Sequence, residues 1–487
     1  MDYFYKIIKN RIAVIHNSTV VLLVLGLFCL IFLYGIRLPD TWNWDDFSYL
    51  LNIMLQRPSG LLLGRSGFTF PIEAIWYYTK PLGFSFSFVE EFIRHANIWI
   101  LTLTYLLLFK ILQYLKFSPF VSAICILLLL SELSFSTISS RVMDSPLMYL
   151  ALVSSLYLFI TSHNKQNKGM LYLSGFLCGY SLLIREPAVL YWPIFLVFFY
   201  LFKKENLLYT KKTYLLFFCI IALTSASGPL ILYLMDGDEF INNFNHSFQN
   251  AKYFIPTTLS DILNTFLNSH LNYYTLPIGI LGLYLYAGKT EHKNKIFAIA
   301  ILCLFPVILS FFILSVDAVK ESRFFFTYFL LNALGQSFLV DHLRKYYKNH
   351  FITFFIVLTL FIANFYRCIP EYLSEKNIVA RQNNYYEKIR PLLSPDTVFI
   401  LGYETQMVRY RGLLEGIRVR TISPGWSWPK GLLVEDIKSL ILNNRKVIYD
   451  SNAADYNPER KADLEQMAQQ FRLIEIYDGF YRIESKP

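Results

Sequence analysis

Charged side chains are scarce in this chain. Asp, Glu, Lys and Arg make up 16% of its 487 residues, where a soluble domain carries roughly 25%. Hydrophobic residues reach 55%, in long apolar runs that recur through residue 366 and then stop. An ordinary soluble domain is excluded, and a polytopic membrane protein with a polar C-terminal region is indicated. Metal- and disulfide-forming patterns are also missing. The six cysteines include no CxxC pair; five fall inside apolar segments and Cys368 sits at the edge of the last one, as small core residues do. No Gly-rich nucleotide fingerprint, zinc spacing or Ser-His-Asp order is present. A nucleic-acid footprint is absent as well, although the net charge is +10. From residue 370 onward 17 Lys/Arg stand against 16 Asp/Glu, so the basic excess lies in the short loops of the membrane part. That distribution is a topology signal.

The apolar runs predict eleven spans, at 18–36, 92–112, 118–136, 145–161, 169–184, 187–202, 213–235, 271–288, 296–316, 324–340 and 351–367. Pro187 marks a break or kink between the fifth and sixth. The first run is too long for a signal peptide and no small-residue cleavage site follows it, so it reads as a retained helix. With the N-terminus inside, the inner segments hold 17 Lys/Arg and the much longer outer loops hold 9, as the positive-inside rule requires. An odd number of spans then puts the C-terminal region on the outer side.

This orientation gathers the chemistry-bearing residues on one side. Asp45, Asp46, Arg65, Arg141, Asp144, Arg185, Glu186, Glu321 and Arg323 all fall outside. The first outer loop, 37–91, opens on Trp42-Asn-Trp-Asp-Asp-Phe-Ser-Tyr-Leu50. A carboxylate there suits a general base, or a ligand for a metal or cation; its bland reading is an N-cap pair opening a surface helix. The loop predicts interfacial helices near 45–56 and 71–80, with Arg65 in a flexible turn between Gly64 and Gly67, placed to meet a phosphate or to snorkel to lipid. Asp144 stands before Ser-Pro-Leu147 at a helix start, where N-capping is its bland role. Gly175 and Gly179 have the spacing of close helix packing on the span that ends at Arg185-Glu186. Glu321-Ser-Arg323 opens the tenth span.

These motifs, in this order, resemble those of the GT-C superfamily of membrane glycosyltransferases, in particular its protein-mannosyltransferase and lipid A aminoarabinose-transferase group. The matching elements are Asp45-Asp46, Gly64-to-Pro71, Asp144-Ser-Pro-Leu147, Gly175-to-Arg185 and Arg323-Phe-Phe. The chain departs from the group's usual pattern in having Asp-Asp for Asp-Glu, Arg65 for lysine, and Arg185-Glu-Pro for a Lys-Gly ending. Size and span count also suit phage-type O-antigen glucosyltransferases. The resemblance implies a mainly α, polytopic fold of about eleven transmembrane helices, catalytic over 1–369, with 370–487 outside the membrane.

It further implies an inverting transfer of sugar from a polyprenyl-phosphate donor to a hydroxyl of an envelope acceptor, O-antigen or other glycan or glycolipid rather than protein. Asp45 would be the general base; Asp46 and Asp144 would position the acceptor or bind a divalent metal, and no cofactor is required. Arg65, Arg323 and Arg185 would hold the donor phosphate. Trp42, Trp44, Glu186, Trp426 and Trp428 are candidate sugar contacts. The implied location is the bacterial inner membrane, with the N-terminus cytoplasmic and the C-terminal region periplasmic. Two other classes fit the composition: a lipid-linked substrate transporter, which needs ionisable residues on both membrane faces, and a non-catalytic envelope scaffold. Beyond residue 370, β-branched runs (397–401, 417–422, 446–449, 473–477, 480–483) alternate with helical patterns (404–414, 433–443, 458–470), predicting a small α/β domain.

Overall fold

A computed structural model describes residues 2–40, 44–55, 66–132, 136–204, 208–235, 237–238, 241, 260, 264, 275–288, 299–300, 303–304, 326–402, 404–422, 433–451, 461–477 and 479–486. The chain divides into two compact units, one of Met1–Leu38, Pro58–Ala74 and Phe92–Ser374, the other of Pro39–Arg57, Ile75–Glu91 and Glu375–Pro487.

The first unit is helical. Its elements are α1 (Asp2–Gly35), most of α3 (Ser66–Thr79) and α4 (Phe86–Tyr114), α5 (Pro119–Leu130), α6 (Ser145–Lys165), α7 (Lys168–Ile184), α8 (Ile194–Lys204), α9 (Lys211–Met235), α10 (Leu276–Ala287), α11 (Phe326–Tyr347) and the first part of α12 (His350–Ile389); α2 (Trp44–Leu55), the end of α3, the start of α4 and the far part of α12 belong to the other unit. Many outward residues are large and apolar: Leu23, Leu27 and Ile31 on α1, Leu223 and Leu234 on α9, Phe351 and Phe354 on α12. Such faces are stable against lipid tails, and the inner faces are closed by small and polar residues instead. Between α6 and α7, the Ser155 and Ser174 hydroxyls each donate to the other's carbonyl at 2.7 Å. Gly175 and Gly179 face α9, where a Cβ on Gly179 would lie 2.6 Å from the Ile221 carbonyl oxygen.

Glycines bring the backbones of α10 and α11 together. A Cβ on Gly282 would fall 1.8 Å from the Gly335 carbonyl oxygen, and one on Gly335 2.2 Å from that of Gly279. Gly282→Val is therefore expected to force the two helices apart and to destabilise the protein by about 1–3 kcal/mol, seen as a lower unfolding temperature in detergent. An unchanged transition would contradict this packing.

The structure bears on three sequence expectations. The count of spans is the first. Ten of the eleven expected segments carry helix and the eleventh, 296–316, lies almost wholly outside the described residues. Yet only four described helices are long and apolar enough to cross a membrane: α4, α6, α9 and α12. At 1.5 Å per residue the 12-residue α5 and α10 rise only about 18 Å, short of a core about 30 Å thick. Pro187 does break the 187–202 segment, leaving a 3₁₀ turn (Glu186–Tyr191) before α8.

The second concerns Gly67, expected in a flexible turn. It lies inside α3, where its missing side chain lets the helix meet the Leu183–Ile184 backbone; a Cβ would sit 2.9 Å away. Pro71 follows within the same helix. A proline lacks the N–H that would bond the carbonyl four residues back, and that carbonyl, Gly67's, accepts the Tyr180 hydroxyl at 2.6 Å instead.

Third, the helix that carries the last expected span does not end near 367. α12 continues to Ile389 as a 40-residue helix with Pro370 inside it. Val379, Gln382, Tyr386 and Ile389 are buried along its far half, a spacing that gives one amphipathic stripe.

The second unit holds the sheet: β1 (Thr397–Ile400), β2 (Arg420–Ile422), β3 (Lys446–Asp450), β4 (Phe471–Tyr477) and β5 (Phe480–Ser485), in the order β2-β1-β3-β5-β4. β1 pairs parallel to β2 and β3, while β5 is antiparallel to β3 and β4. The parallel pairs need crossovers, which α13 (Thr405–Leu414) and α14 (Leu433–Leu442) supply; α15 (Lys461–Gln470) precedes β4. Gly479, at φ +79°, turns the β4–β5 hairpin. Val398, Ile400, Ile422, Ile437, Val447, Met467 and Ile483 form the core of this domain.

Candidate functional site

The best-defined charged arrangement in the first unit lies where α6 begins and α7 ends. Asp144 occupies the N-cap position of α6, followed by Pro146 in the first turn, yet its side chain makes no capping bond. The carboxylate turns instead to Arg185, the C-cap of α7, whose Nη1 donates to Asp144 Oδ1 at 2.7 Å and to Ser145 Oγ at 2.6 Å. Both charges are buried, at 0% and 3% exposure. The helix break at Arg185 makes this possible: its backbone is extended (φ −159°, ψ 132°), which turns the guanidinium out of the α7 helical path. Two residues expected in separate roles, acceptor side and donor phosphate, are thus partners of each other.

The segment leading to Asp144 is also buried, from the 3₁₀ turn Thr137–Ser140 through Met143. A buried loop must place its carbonyls, and α4 supplies donors. Arg94 Nε donates to the Ser140 carbonyl at 2.9 Å, and Asn97 Nδ2 to those of Arg141 and Met143 at 2.8 and 3.1 Å. Arg94 Nη2 also bonds the Leu38 carbonyl at the exit of α1. One buried guanidinium, 1% exposed, thereby ties the approach to Asp144 to the end of the first helix. Arg94→Met is expected to cost about 1–3 kcal/mol through the carbonyls it deserts. Thermal unfolding in detergent would read this, and a variant as stable as wild type would contradict it.

A second pair joins buried Glu132, two residues past α5, to partly buried Arg367 on α12 at 2.9 Å, with the Cys368 thiol against the same carboxylate oxygen. Arg94, Glu132 and Arg367 were not among the sequence candidates. Their signal was available, since ionisable residues within or at the edges of apolar runs are costly and mark structural or functional pairing. Glu73 on α3 was also missed; partial burial pushes its carboxyl up to about 7, and no motif announces it.

The other candidates fall as follows. Asp45 lies by its backbone in the first turn of α2, as does Trp44. Asp46, the next residue, is fully buried in the second unit, with Phe47, Tyr49, Leu50 and Ile53 buried beside it on α2. Glu186 opens the 3₁₀ turn after Arg185. Trp42, Arg65, Arg323, Trp426 and Trp428 lie outside the described residues. Among the described residues no three His, Cys, Asp or Glu side chains gather as a metal-ligand set.

Residues 80–231 match the family described as dolichyl-phosphate-mannose-protein mannosyltransferase. The matched stretch runs from the 3₁₀ turn before α4 into α9 and contains Arg94, Asn97, Asp144 and Arg185. A solved structure, the apo crystal structure of ArnT from Cupriavidus metallidurans, superposes with a TM-score of 0.59 over 96% of this chain and 98% of that chain, at 9% sequence identity. No curated protein sequence matches. The family match thus covers under a third of the chain, and the likeness to the solved structure is one of fold. The buried Asp144–Arg185 pair lies inside the stretch that matches the mannosyltransferase family. Asp45, Asp46 and Arg65 precede that stretch.

Proposed function

We propose that this protein is a GT-C glycosyltransferase, an inverting enzyme that moves a sugar from a polyprenyl-phosphate donor to a hydroxyl of an envelope glycan or glycolipid. The observation that carries the reading is the coincidence of the family match at 80–231 with the buried Asp144–Arg185 pair, on a fold shared with a solved GT-C enzyme over nearly its whole length. In this reading the acceptor oxygen attacks the anomeric carbon as the bond from that carbon to the phosphate oxygen breaks. Asp45 takes the hydroxyl proton, and the bond electrons leave with the polyprenyl phosphate. A carboxylate suffices as base because the hydroxyl acidifies as it attacks. Arg65 and Arg323 stabilise the departing phosphate, for which a guanidinium fork is the matching group.

Asp46 and Asp144 hold the acceptor side, and Arg185 fixes the Asp144 carboxylate while presenting positive charge nearby. The tryptophans Trp42, Trp44, Trp426 and Trp428, with Glu186, contact sugar. The protein works in the bacterial inner membrane with residues 370–487 in the periplasm, and the catalytic part is 1–369. A phosphate already paired with arginines needs no metal, and Asp45, Asp46 and Asp144 are the ligands if one binds.

The stereochemical test uses the full chain in proteoliposomes with a donor of known anomeric configuration. A single displacement gives the opposite configuration in the product, read by the anomeric proton coupling in NMR. Retention of configuration would overturn the mechanism.

A further inference from the structure

Asp45 and Asp46 sit on a helix that the C-terminal domain holds at both flanks, within the second unit. α13 is the first helix of that domain after β1, and it packs directly on α2. Two consecutive α13 residues make the specific contacts. Tyr410 is almost fully buried; its hydroxyl donates to Glu90 Oε2 at 2.5 Å. Its ring lies 5.8 Å from that of Phe47 on α2 and 6.1 Å from that of Phe86 at the start of α4. Arg411 donates through Nη2 to Asp40 Oδ2 at 2.8 Å and to Asn383 Oδ1 on α12 at 2.5 Å, with its guanidinium over the Tyr386 ring at 5.3 Å. Asp40 precedes the acidic pair by five residues and Phe47 follows it by one.

We infer that Tyr410 and Arg411 are positioning residues for the acidic pair: α13 fixes the N-terminal turn of α2, the turn that carries Asp45 and Asp46. The C-terminal domain is then part of the frame of the site rather than a cover over the acceptor. This rests on the reading of Asp45 as general base. The chemistry of the clamp suits a fixed support. Burial, and then the Glu90 carboxylate, push the Tyr410 phenol well above its ordinary value, so it stays a donor. Phe47, Tyr49 and Leu50 are buried on the same helix, so α2 has little room to rotate once Tyr410 and Arg411 are in place. Near-attack geometry is sensitive to such placement, and about 1 Å of error costs up to about a hundredfold in rate.

The test uses the full chain in proteoliposomes. Tyr410→Phe keeps the ring and removes the bond to Glu90; Arg411→Gln removes the charge facing Asp40. Both are expected to lower kcat at least about tenfold while donor KM stays within about twofold, the pattern of an interaction that matters in the transition state. A charge reversal guards against simple misfolding: Arg411→Asp combined with Asp40→Arg is expected to recover at least about half of the logarithmic loss of Arg411→Asp alone. A second readout is independent of activity. A nitroxide on a cysteine at Ser48 of α2, in a Cys219→Ser background because Cys219 is the exposed native thiol, is expected to become more mobile in Tyr410→Phe and Arg411→Gln. Wild-type kcat with an unchanged spectrum would overturn the clamp, as would a joint fall in kcat and rise in KM with an unchanged spectrum. If wild type transfers sugar from no donor, the proposed function fails and the nitroxide alone decides: greater mobility supports the clamp, and an unchanged spectrum refutes it.

Discussion

Arg185→Met is expected to destabilise the protein by about 3–5 kcal/mol, because it leaves the Asp144 carboxylate buried without its arginine. The two groups meet at 2.7 Å with 3% and 0% exposure, so water offers little compensation. Ser145 Oγ, which accepts from the same Nη1, loses its donor too. Replacing both partners behaves differently. With Asp144→Leu and Arg185→Met together, no unpaired charge remains, and stability is expected to return to within about 1–2 kcal/mol of wild type. Thermal unfolding in detergent measures all three proteins. Activity separates structure from chemistry: the double variant is expected to fold and yet transfer no sugar, since Asp144 and Arg185 belong to the proposed site. A double variant with wild-type transfer would reduce the pair to a helix fastener between α6 and α7.

Asp45→Asn is expected to lower kcat by roughly 10²- to 10⁴-fold, the usual worth of a general base. Asparagine keeps the size and the hydrogen-bonding shape of the side chain and removes its capacity to take a proton. Donor KM should stay near wild type, because the phosphate is held by arginines in the proposed site. Asp46→Asn tests the neighbour. Asp46 is fully buried on α2, so its loss should show in stability as well as rate, whereas Asp45→Asn should show in rate. Wild-type kcat in Asp45→Asn would remove it as the base and move the role to Asp46 or Asp144.

The parts of this molecule that were legible in the sequence are those where a local pattern has one physical solution. The β-branched runs beyond residue 396 became β1 to β5 because each could bury one face only in a sheet. Gly175 and Gly179, four residues apart, lie against α9 because that spacing puts two bare backbones on one side of α7. What stayed hidden depends on distant partners. Asp144 reads locally as an N-cap, and only Arg185, 41 residues on, explains why its carboxylate does not cap. Gly67 reads as a turn and Pro71 as the start of a helix; the Tyr180 hydroxyl that satisfies the orphaned carbonyl lets both sit inside one helix. The extension of α12 to Ile389 was masked by its polar residues, because an amphipathic stripe that follows an apolar run looks like the end of the helix. Tyr410 meets Glu90 across 320 residues, a contact no local pattern encodes.

The central claim is transfer from a lipid-linked donor, and the most direct measurement is transfer by wild type itself. Purified protein in proteoliposomes is given radiolabelled polyprenyl-phosphate sugars, or in parallel the matching nucleotide sugars, with a crude envelope acceptor. Label is predicted to reach the acceptor from a polyprenyl-phosphate donor, and not from a nucleotide sugar. Transfer from the nucleotide sugars, or from no donor at all by folded protein, would contradict the account.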